Sequence, residues 1–352
     1  MICFFTCAYN ADKTLSRAID SVLSQTYSNL VYYICDNGSV DNTREIILKY
    51  AQIDERVTPI LRDVNHTLDT DSTFPLFPFL SEYLRENTQG YFCLLDADDE
   101  YTLDFAERML EFVEENELDV AACRSNFIDV EKNENRNRVS LNENIIVYGK
   151  GFSEQFPNYF RYMGSVWGKL FSLSTLRRVV FDLSIFQEDL KYYGDTIITL
   201  EILKKASRIG VLAKPLHRYY ISKKSLLFSF PIERFKTNRR MPQVYRDFIC
   251  KKTGMLSKKN ESYICELYLR SIQNTLQVIF DADWPLEKKL TIIRDEACHE
   301  FTLEMLNHKG VADVHKRNFE KCIRDWIELQ ALEVSEQNIY NEVSYLLKQR
   351  ME

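Results

Sequence analysis

Short apolar runs alternate with amphipathic stretches over the first hundred residues, and each apolar run ends in polar or acidic residues. The runs at 2–7, 30–35 and 91–95 have the length and apolar character of buried strands. Between the first two runs, apolar residues recur at helical spacing and predict a helix over about 13–25. A further strand at 57–61 continues the strand–helix repeat. The pattern therefore predicts an α/β fold with a mostly parallel, twisted sheet flanked by helices.

The pattern changes in the last third of the chain. A helix at 103–115 and a short strand at 119–124 still belong to the α/β pattern. From about Pro231 onward, apolar positions follow helical spacing almost throughout, which predicts roughly four to six packed helices. We therefore expect two domains, an α/β domain at 1–228 and an all-helical appendage at 229–352.

Composition narrows the class of protein. The 352 residues are 45% hydrophobic and 28% charged, as in globular proteins, and the net charge of −7 disfavours a nucleic-acid partner. No apolar run reaches the ~18 residues of a transmembrane segment. Met1 leads directly into an apolar run without the basic region of a secretory signal. The nine cysteines lack Cys-x-x-Cys spacing, which is typical of reduced thiols, so we expect a cytoplasmic protein.

Four carboxylates lie within five residues directly after the strand predicted at 91–95: Asp96, Asp98, Asp99 and Glu100. Crowded carboxylates repel one another unless a cation neutralises them. The carboxyl ends of parallel strands are also where open α/β sheets bind their ligands. The sequence therefore predicts a metal site here. The alternative is an acidic turn in which Asp98 or Asp99 caps the next helix.

Several ordered motifs resemble those of family 2 glycosyltransferases. They are Phe-Phe-Thr-Cys-Ala-Tyr-Asn at 4–10, Ala-Ile-Asp-Ser-Val-Leu-Ser-Gln-Thr-Tyr at 18–27, Asp-Asn-Gly-Ser-Val-Asp-Asn-Thr at 36–43 and Asp-Ala-Asp-Asp at 96–99. The resemblance covers roughly residues 2–228. It implies a GT-A fold with a donor half at about 1–100 and an acceptor half at about 101–228. It also implies transfer of a sugar from a nucleotide-sugar donor, usually with inversion.

The resemblance assigns three residues of the first two turns to the donor nucleotide. Ala8 and Tyr9 follow the first strand, where Tyr9 either stacks on the base or packs as an ordinary aromatic residue. Asp36 resembles the family carboxylate that accepts a hydrogen bond from uracil. Its alternative role is an Asx-turn before Gly38. UDP is the family preference among donor nucleotides.

The metal assignment also comes from the resemblance. Asp98 matches the residue that binds Mn²⁺ or Mg²⁺, and Asp96 would hold the ribose or reach the metal through water. Asp99 would support these two carboxylates. His217 is a further candidate ligand, because imidazole suits Mn²⁺ better than Mg²⁺, and its alternative is a structural, hydrogen-bonded histidine.

One family motif is missing. The stretch at 65–74 lacks the arginine with which the family approaches the diphosphate. Lys223 or Lys224, in a basic loop after the last predicted strand, would supply that positive charge instead. The same stretch holds three residues that form either another metal site or an ordinary polar loop: His66, Asp69 and Asp71.

The acceptor side is assigned from two further motifs. Ser-Val-Trp-Gly-Lys-Leu-Phe at 165–171 resembles the family's acceptor segment, where Trp167 stacks on a sugar or packs in the core. Gly194-Asp195 stands at the start of an apolar helical stretch, where the family usually has Glu-Asp, so the resemblance implies that Asp195 is the general base, although a carboxylate there would also stabilise a helix start. Asp189, in an intact Glu-Asp pair not followed by the expected helix, is the second choice.

Partners and alternatives complete the prediction. We expect a UDP-sugar donor, a saccharide, lipid-linked or protein-linked acceptor, and contact between two copies through the C-terminal helices. Basic residues there would bring the protein to the inner face of a membrane. One alternative is a catalytically silent subunit that supports a partner transferase. A nucleotidyltransferase is disfavoured by the missing Gly-rich phosphate loop. The second Asp-Ala-Asp, at 281–283, follows a helical stripe and is not expected to bind metal.

Overall fold

The computed structural model describes residues 1–67, 74–132, 134–135, 140–181, 187–221 and 232–330. Two compact units divide the chain, Met1–Lys223 and Lys224–Glu352. All strands of the described residues lie in the first unit, whereas the second is built from helices.

Ten strands form one mixed sheet within the described part of the first unit. Their bounds are Ile2–Ala8 (β1), Leu30–Asn37 (β2), Val57–Arg62 (β3), Tyr91–Leu94 (β4), Glu100–Tyr101 (β5), Val120–Asp129 (β6), Glu134–Asn135 (β7), Ile145–Tyr148 (β8), Lys169–Ser172 (β9) and Arg208–Ile221 (β10). The order is β3-β2-β1-β4-β9-β6-β10-β5, with β7 beside β6 and β8 beside β10. Strands β3, β2, β1 and β4 run parallel, as do β6 and β10. Strand β9 is antiparallel to both β4 and β6 and joins these two parallel groups.

Helices cover the sheet of the first unit. Their bounds are Leu15–Leu23 (α1), Thr43–Ile53 (α2), Leu76–Glu86 (α3), Phe105–Glu115 (α4), Gly151–Glu154 (α5), Phe156–Met163 (α6), Leu173–Leu176 (α7) and Gln187–Lys205 (α8). Successive side chains of β1 point to opposite faces of the sheet. Phe4 therefore packs near Phe105 of α4, with ring centroids 6.3 Å apart, whereas Phe5 stacks on Phe79 of α3 at 4.7 Å.

Several element ends differ from the sequence-based expectation. Helix α1 ends at Leu23, before the predicted residue 25, and the backbone N–H of Thr26 donates outside the helix, to Leu103 O at 2.9 Å. The Gln25 side chain bonds both to α1 and outside it. Its Nε2 donates to the carbonyl oxygens of Ser21 and Thr102, each at 2.7 Å, and its Oε1 accepts from Ala106 N at 2.8 Å. These bonds join the end of α1 to the start of α4. Strand β2 extends to Asn37, beyond the predicted residue 35, so Asp36 lies within the sheet rather than in the turn that follows it.

Gly38 lies where two segments approach closely. Its φ of +78° is in the left-handed region, and an added Cβ would lie 2.6 Å from Val64 C. We expect Gly38→Ala to destabilise the first unit by about 1 kcal/mol for the backbone conformation. Displacement of Val64 adds a further ~1–3 kcal/mol. The midpoint of thermal unfolding, followed by circular dichroism, measures the loss.

Gly149→Ala is the matched control for that substitution. Gly149 has a φ of +53°, but an added Cβ there would meet no atom within 4 Å. The control therefore carries the backbone cost without the clash, and its melting temperature should fall less. Equal losses for the two variants would contradict the steric argument at Gly38.

The second unit contains five helices among its described residues: Ile232–Thr253 (α9), Lys258–Asp281 (α10), Leu286–Ala297 (α11), Glu300–Asn307 (α12) and Asp313–Gln330 (α13). Their apolar faces share one core around α10, in which Ile272, Leu276 and Ile279 are fully buried. The predicted helical appendage is therefore present. No helix in the described part of the chain is long and apolar enough to cross a membrane.

Candidate active site

Three carboxylates cluster where β4 ends. The chain passes from Leu94 through Leu95, whose N–H donates to Phe5 O at 3.0 Å, into a turn closed by Asp99 N and Asp96 O at 3.2 Å. This turn brings together Asp96, Asp98 and Asp99, hereafter the acid cluster, with ligand oxygens within 4.8 Å of one another. The predicted acidic site therefore forms at the carboxyl edge of a parallel strand.

The charges of the acid cluster call for neutralisation. Burial raises the pKa of Asp96 and of Asp99 well above the usual carboxyl range, and the neighbouring carboxylates raise both further. Desolvation by the surrounding groups also raises the pKa of Asp98, although this residue is exposed, and the charge of Arg17 opposes the rise. The buried Oδ2 of Asp99 makes no hydrogen bond with the described residues. Closely spaced carboxylate oxygens of this kind suit Mg²⁺ or Mn²⁺, so the residues fit the predicted metal.

Strand β10 holds the acid cluster from its far side. Tyr220 donates its backbone N–H to Asp99 Oδ1 at 2.8 Å and its hydroxyl to Glu100 at 2.9 Å. Arg218 pairs with the same Glu100 carboxylate at 2.5 Å. Arg17 of α1 donates to the carbonyl oxygen of Asp98, and its guanidinium carbon lies 3.7 Å from the centre of the Tyr220 ring. These contacts fix the turn before any ligand binds.

His217 lies beside the acid cluster rather than within the carboxylate triad. Its Nε2 is 3.3 Å from Asp99 Oδ2, and its Nδ1 is 3.0 Å from Ser125 Oγ. Burial lowers the pKa of His217 to about 3, and the charge of Lys169 acts in the same direction. The imidazole is therefore neutral at physiological pH, and its Nε2 faces Asp99 Oδ2 without a hydrogen bond between them. Metal binding by His217 stays a prediction.

The turns after β1 and β2 lie side by side. Ala8 is buried opposite Asp36 in the parallel register, whereas Tyr9 is 46% exposed. Asn10 N donates to Ser39 Oγ at 3.0 Å, and Val40 N donates to Asn10 Oδ1 at 2.9 Å. The exposed Tyr9 ring is accessible to a ligand, so its stacking role stays a prediction.

Asp36 is buried and fully engaged within the protein. Its Oδ2 accepts from Arg44 Nε at 2.6 Å, and its Oδ1 accepts from Ser39 N at 3.0 Å. The bond from Ser39 N lies three residues after Asp36, one residue beyond the bond of an Asx-turn, so the alternative interpretation is not realised in that form. Contact between the carboxylate and a base would need one of these bonds to be shared or shifted, because the Asp36 side chain has 0% exposure. The uracil role stays a prediction.

The predicted base lies on α8, just after a kink. Tyr193 has non-helical angles (φ −132°, ψ 20°), and Asp195 follows it. The expectation that no helix follows Glu188-Asp189 is wrong, because α8 begins at Gln187 and includes both candidate aspartates. Asp189 is buried, whereas Asp195 is exposed. Asp195 interacts electrostatically with the acid cluster, since its charge contributes to the raised pKa of Asp96.

Trp167 packs against two residues of β10. Its ring stacks on His217, with centroids 4.8 Å apart, and also contacts Tyr219 at 5.2 Å. This packing supplies the core role considered for Trp167, and its ring is still partly exposed.

His66 N donates to Asn37 Oδ1 at 3.3 Å. Four of the predicted residues lie outside the described residues: Asp69, Asp71, Lys223 and Lys224.

Comparison with known proteins decides the family. The family model described as Glycosyl transferase family 2 matches residues 3–71 and 79–181. The chain belongs to glycosyltransferase family 2. The predicted resemblance is therefore confirmed, and the described elements from β1 to α7 lie mostly within the matched ranges.

Curated relatives of this family 2 member come from several bacteria. The uncharacterized glycosyltransferase EpsJ of Bacillus subtilis (strain 168) is 25% identical over 224 residues, which span 62% of this chain and 60% of EpsJ. Glycosyltransferase GlyA of Streptococcus pneumoniae is 23% identical over 227 residues, which span 62% of this chain and 30% of GlyA. The match thus spans less than two thirds of either relative.

Solved structures confirm the GT-A fold of this family 2 member. The crystal structure of S. aureus TarS superposes with a TM-score of 0.62 at 16% identity and covers 98% of this chain and 55% of TarS. TarS 1–349 in complex with UDP gives a TM-score of 0.60 at 15% identity and covers 99% of this chain and 91% of that one.

Three basic residues of the site were missed by sequence reasoning: Arg17, Arg44 and Lys169. Arg17 lies on α1, where the apolar spacing indicates only which face of the helix is buried. Arg44 lies in the first turn of α2, eight positions after Asp36, and it pairs with that buried carboxylate. Lys169 lies in the motif at 165–171, in which the sequence assigns a role to Trp167 alone. Of the three, Arg44 alone had a signal in the sequence, because it lies eight positions after a carboxylate that needs a partner.

Proposed function

We propose that this protein transfers a sugar from a UDP-sugar to a hydroxyl group of an acceptor, with inversion at the anomeric carbon. The observation that carries the proposal is the electrostatic coupling of two carboxylate groups, the acid cluster after β4 and Asp195 on α8. One group suits a metal-associated diphosphate, and the other suits a proton acceptor. Both are needed when a sugar leaves a diphosphate and joins a hydroxyl group.

Asp98, with Asp96 and Asp99 beside it, would hold Mn²⁺ or Mg²⁺. When bound, the ion supplies positive charge to the leaving diphosphate. The chain contributes a preorganised set of ligands, because Tyr220 fixes Asp99 and Arg17 fixes the carbonyl group of Asp98. His217 would either join the ligands or orient Asp99.

The nucleotide would lie over the turns after β1 and β2. Tyr9 is exposed enough to stack on the base, and it directly follows Ala8 at the end of β1. TarS 1–349, which shares the fold, was solved with UDP, and this supports a uridine nucleotide here. Lys223 and Lys224 are the proposed contacts to the diphosphate. Asp36 would take part through the turn that it holds.

Asp195 would act as the general base. It would accept the proton of the acceptor hydroxyl as that oxygen attacks the anomeric carbon from the face opposite the diphosphate. The new bond forms as the bond to the diphosphate breaks, so the configuration inverts and UDP leaves. Desolvation by the surrounding protein raises the pKa of Asp195, which makes its carboxylate a stronger proton acceptor than an aspartate in free solution.

The acceptor is proposed to be a saccharide, free or linked to a lipid or protein, with the partly exposed edge of Trp167 against a sugar ring. The C-terminal helices are proposed to contact a second copy or an acceptor at the inner face of a membrane. A catalytically silent subunit is the second candidate. It is favoured by the missing arginine at 65–74 and by Gly194, which stands where the family usually has Glu.

A ligand panel tests the proposal. We expect UDP with Mn²⁺ to raise the melting temperature by several degrees, because a ligand at 100 times its Kd stabilises by about 2.7 kcal/mol. UDP with EDTA should give a smaller shift, since the acid cluster then repels the diphosphate. GDP with Mn²⁺ and uridine with Mn²⁺ separate base recognition from diphosphate recognition.

Turnover completes the test. Release of UDP from UDP-glucose, UDP-N-acetylglucosamine or UDP-galactose in the presence of Mn²⁺ would be the expected activity, with water or a sugar as acceptor. Absence of any nucleotide-induced shift, with the protein folded, would favour the silent subunit. A shift larger for GDP than for UDP would overturn the uridine assignment.

A further inference from the structure

The hydroxyl group of Tyr101 lies at the centre of a buried set of hydrogen bonds. Tyr101 belongs to β5 and is 2% exposed. Its hydroxyl donates to Leu94 O at 2.7 Å and accepts the backbone N–H of Gly168 at 2.9 Å. The thiol of Cys93 donates to the same oxygen at 3.4 Å. A tyrosine hydroxyl both donates and accepts, and here it does both within the protein interior.

The two backbone groups that Tyr101 joins belong to different parts of the site. Leu94 ends β4, two residues before Asp96 and the rest of the acid cluster. Gly168 directly follows Trp167, the residue proposed to lie against the acceptor sugar. The Tyr101 hydroxyl therefore connects the strand that leads to the acid cluster with the segment that carries the acceptor contact.

The hydroxyl acts where backbone pairing between these two segments comes to an end. Among the described residues, the last antiparallel pair of β4 and β9 is Phe92 with Phe171. One isolated bridge joins Leu94 to Trp167 beyond that pair. Buried backbone N–H and C=O groups need hydrogen-bond partners, and a side-chain hydroxyl supplies a partner to each segment here. The bonds of Tyr101 thus continue the connection that the strand pairing begins.

The ring of Tyr101 is held in place by three other elements. It stacks on Phe105 of α4, with ring centroids 3.7 Å and ring planes 11° apart. The backbone N–H of Tyr101 donates to Ser21 Oγ of α1 at 3.2 Å. Tyr101 also pairs with His217 of β10 in the antiparallel register. Because the ring is fixed, its hydroxyl holds the two segments at a defined separation.

We propose that Tyr101 is a positioning residue for the acceptor: its hydroxyl sets the separation between the acid cluster and Trp167. This inference rests on the proposed function, in which Trp167 contacts the acceptor sugar and the acid cluster holds the donor diphosphate. The acceptor hydroxyl must lie within reach of the anomeric carbon, and a displacement of about 1 Å can lower a rate by about 10²-fold. Tyr101 would control this alignment without touching either substrate.

The test compares two tyrosines that each lose a buried hydroxyl. Tyr101→Phe keeps the ring that stacks on Phe105 but removes the bonds to both segments. Tyr159→Phe is the matched control, because Tyr159 is fully buried in α6 and its hydroxyl also donates to a backbone carbonyl, Phe152 O at 2.9 Å. Both variants should melt a few degrees below the wild type. A difference between them at Trp167 then reports position rather than stability.

Fluorine NMR of the full chain labelled with 5-fluorotryptophan measures the position of Trp167. The chain has three tryptophans, and Trp284 and Trp326 in the second unit serve as references. Trp167→Phe identifies the signal. We expect a single Trp167 signal in the wild type and in Tyr159→Phe, and a doubled or broadened signal in Tyr101→Phe. Broadening by added Mn²⁺ depends steeply on distance and should also differ in Tyr101→Phe alone.

Kinetics test the consequence for the reaction. The donor is UDP-N-acetylglucosamine with Mn²⁺, the acceptor is free N-acetylglucosamine or water, and UDP release is measured. With the sugar acceptor, Tyr101→Phe should lower kcat by about 10- to 100-fold while KM for the donor stays close to that of the wild type. With water the loss should be smaller, since water needs no contact with Trp167. Tyr159→Phe should keep the wild-type values.

The outcomes separate this proposal from the proposed function. An unchanged Trp167 signal with unchanged Mn²⁺ broadening in Tyr101→Phe would overturn the positioning role. Equal changes in Tyr101→Phe and Tyr159→Phe would also overturn it, because they would report lost stability alone. Wild-type kcat in a Tyr101→Phe protein whose Trp167 has moved would do the same. The expected Trp167 result without UDP release by the wild type would count against the proposed function alone.

Discussion

Asp98→Ala is expected to lower kcat for UDP release by on the order of 10²–10³-fold in the presence of Mn²⁺. The substitution removes one of the three oxygens that lie within 4.8 Å of one another at the end of β4. It also removes the ligand that the family resemblance assigns to the metal. Turnover at increasing Mn²⁺ concentrations measures the loss, and the concentration needed for half-maximal rate should rise as well.

The chain offers a matched control for this substitution. Asp283→Ala changes the second aspartate of the Asp-Ala-Asp at 281–283, as Asp98→Ala does in the motif at 96–98. Asp283 follows the end of α10 and is exposed. The control should keep wild-type turnover and wild-type Mn²⁺ dependence. Without metal, Asp98→Ala should not lower the melting temperature, because the charge of Asp98 raises the pKa of Asp99 and its removal relieves repulsion. Full activity of Asp98→Ala would overturn the metal assignment.

Asp195→Asn is expected to lower kcat by about 10²–10⁴-fold while the affinity for UDP stays close to that of the wild type. An amide keeps the size of the side chain, but it cannot take a proton from the acceptor. Single-turnover assays of UDP release, together with calorimetric titration of UDP, separate chemistry from donor binding. The acid limb of the wild-type profile should disappear in the residual activity of the variant.

Asp189→Asn is the comparison that decides between the two candidate bases. Asp189 is buried in the first part of α8, before the kink at Tyr193, whereas Asp195 follows the kink. Its substitution should leave kcat near that of the wild type as long as UDP still binds. If Asp189→Asn loses turnover and Asp195→Asn keeps it, the base assignment passes to Asp189. The effect of the Asp195 charge on the pKa of Asp96 would then have no catalytic role.

Sequence periodicity located the strands of the donor half well because these strands are apolar along their length. β1 runs from Ile2 to Ala8 and is buried almost throughout, so its signal does not depend on which face is considered. The long strand β6 was harder to predict, since it continues to Asp129 through residues that are only partly buried. Its extension depends on pairing with β10, which lies far away in the sequence.

The candidate site likewise has a part that the sequence predicts and a part that depends on remote segments. The acid cluster was predictable, because the carboxylates follow one another directly after a strand. The contacts around it come from remote segments: Tyr220 reaches Asp99, and Arg17 reaches the Asp98 carbonyl group. No periodicity within one segment indicates which distant residue will face it. The engagement of Asp36 with Arg44 likewise depends on the angle at which α2 leaves β2.

The sequence by itself determined the family, the GT-A fold and the order of the motifs, because these are recorded in local runs of residues and their spacing. It also determined that acidic side chains would lie at the carboxyl edge of the sheet. Tertiary structure alone decided which charges compensate one another. Burial and proximity set the pKa values of the acid cluster, His217 and Lys169, and both quantities arise only when β4, β9, β10 and α8 come together.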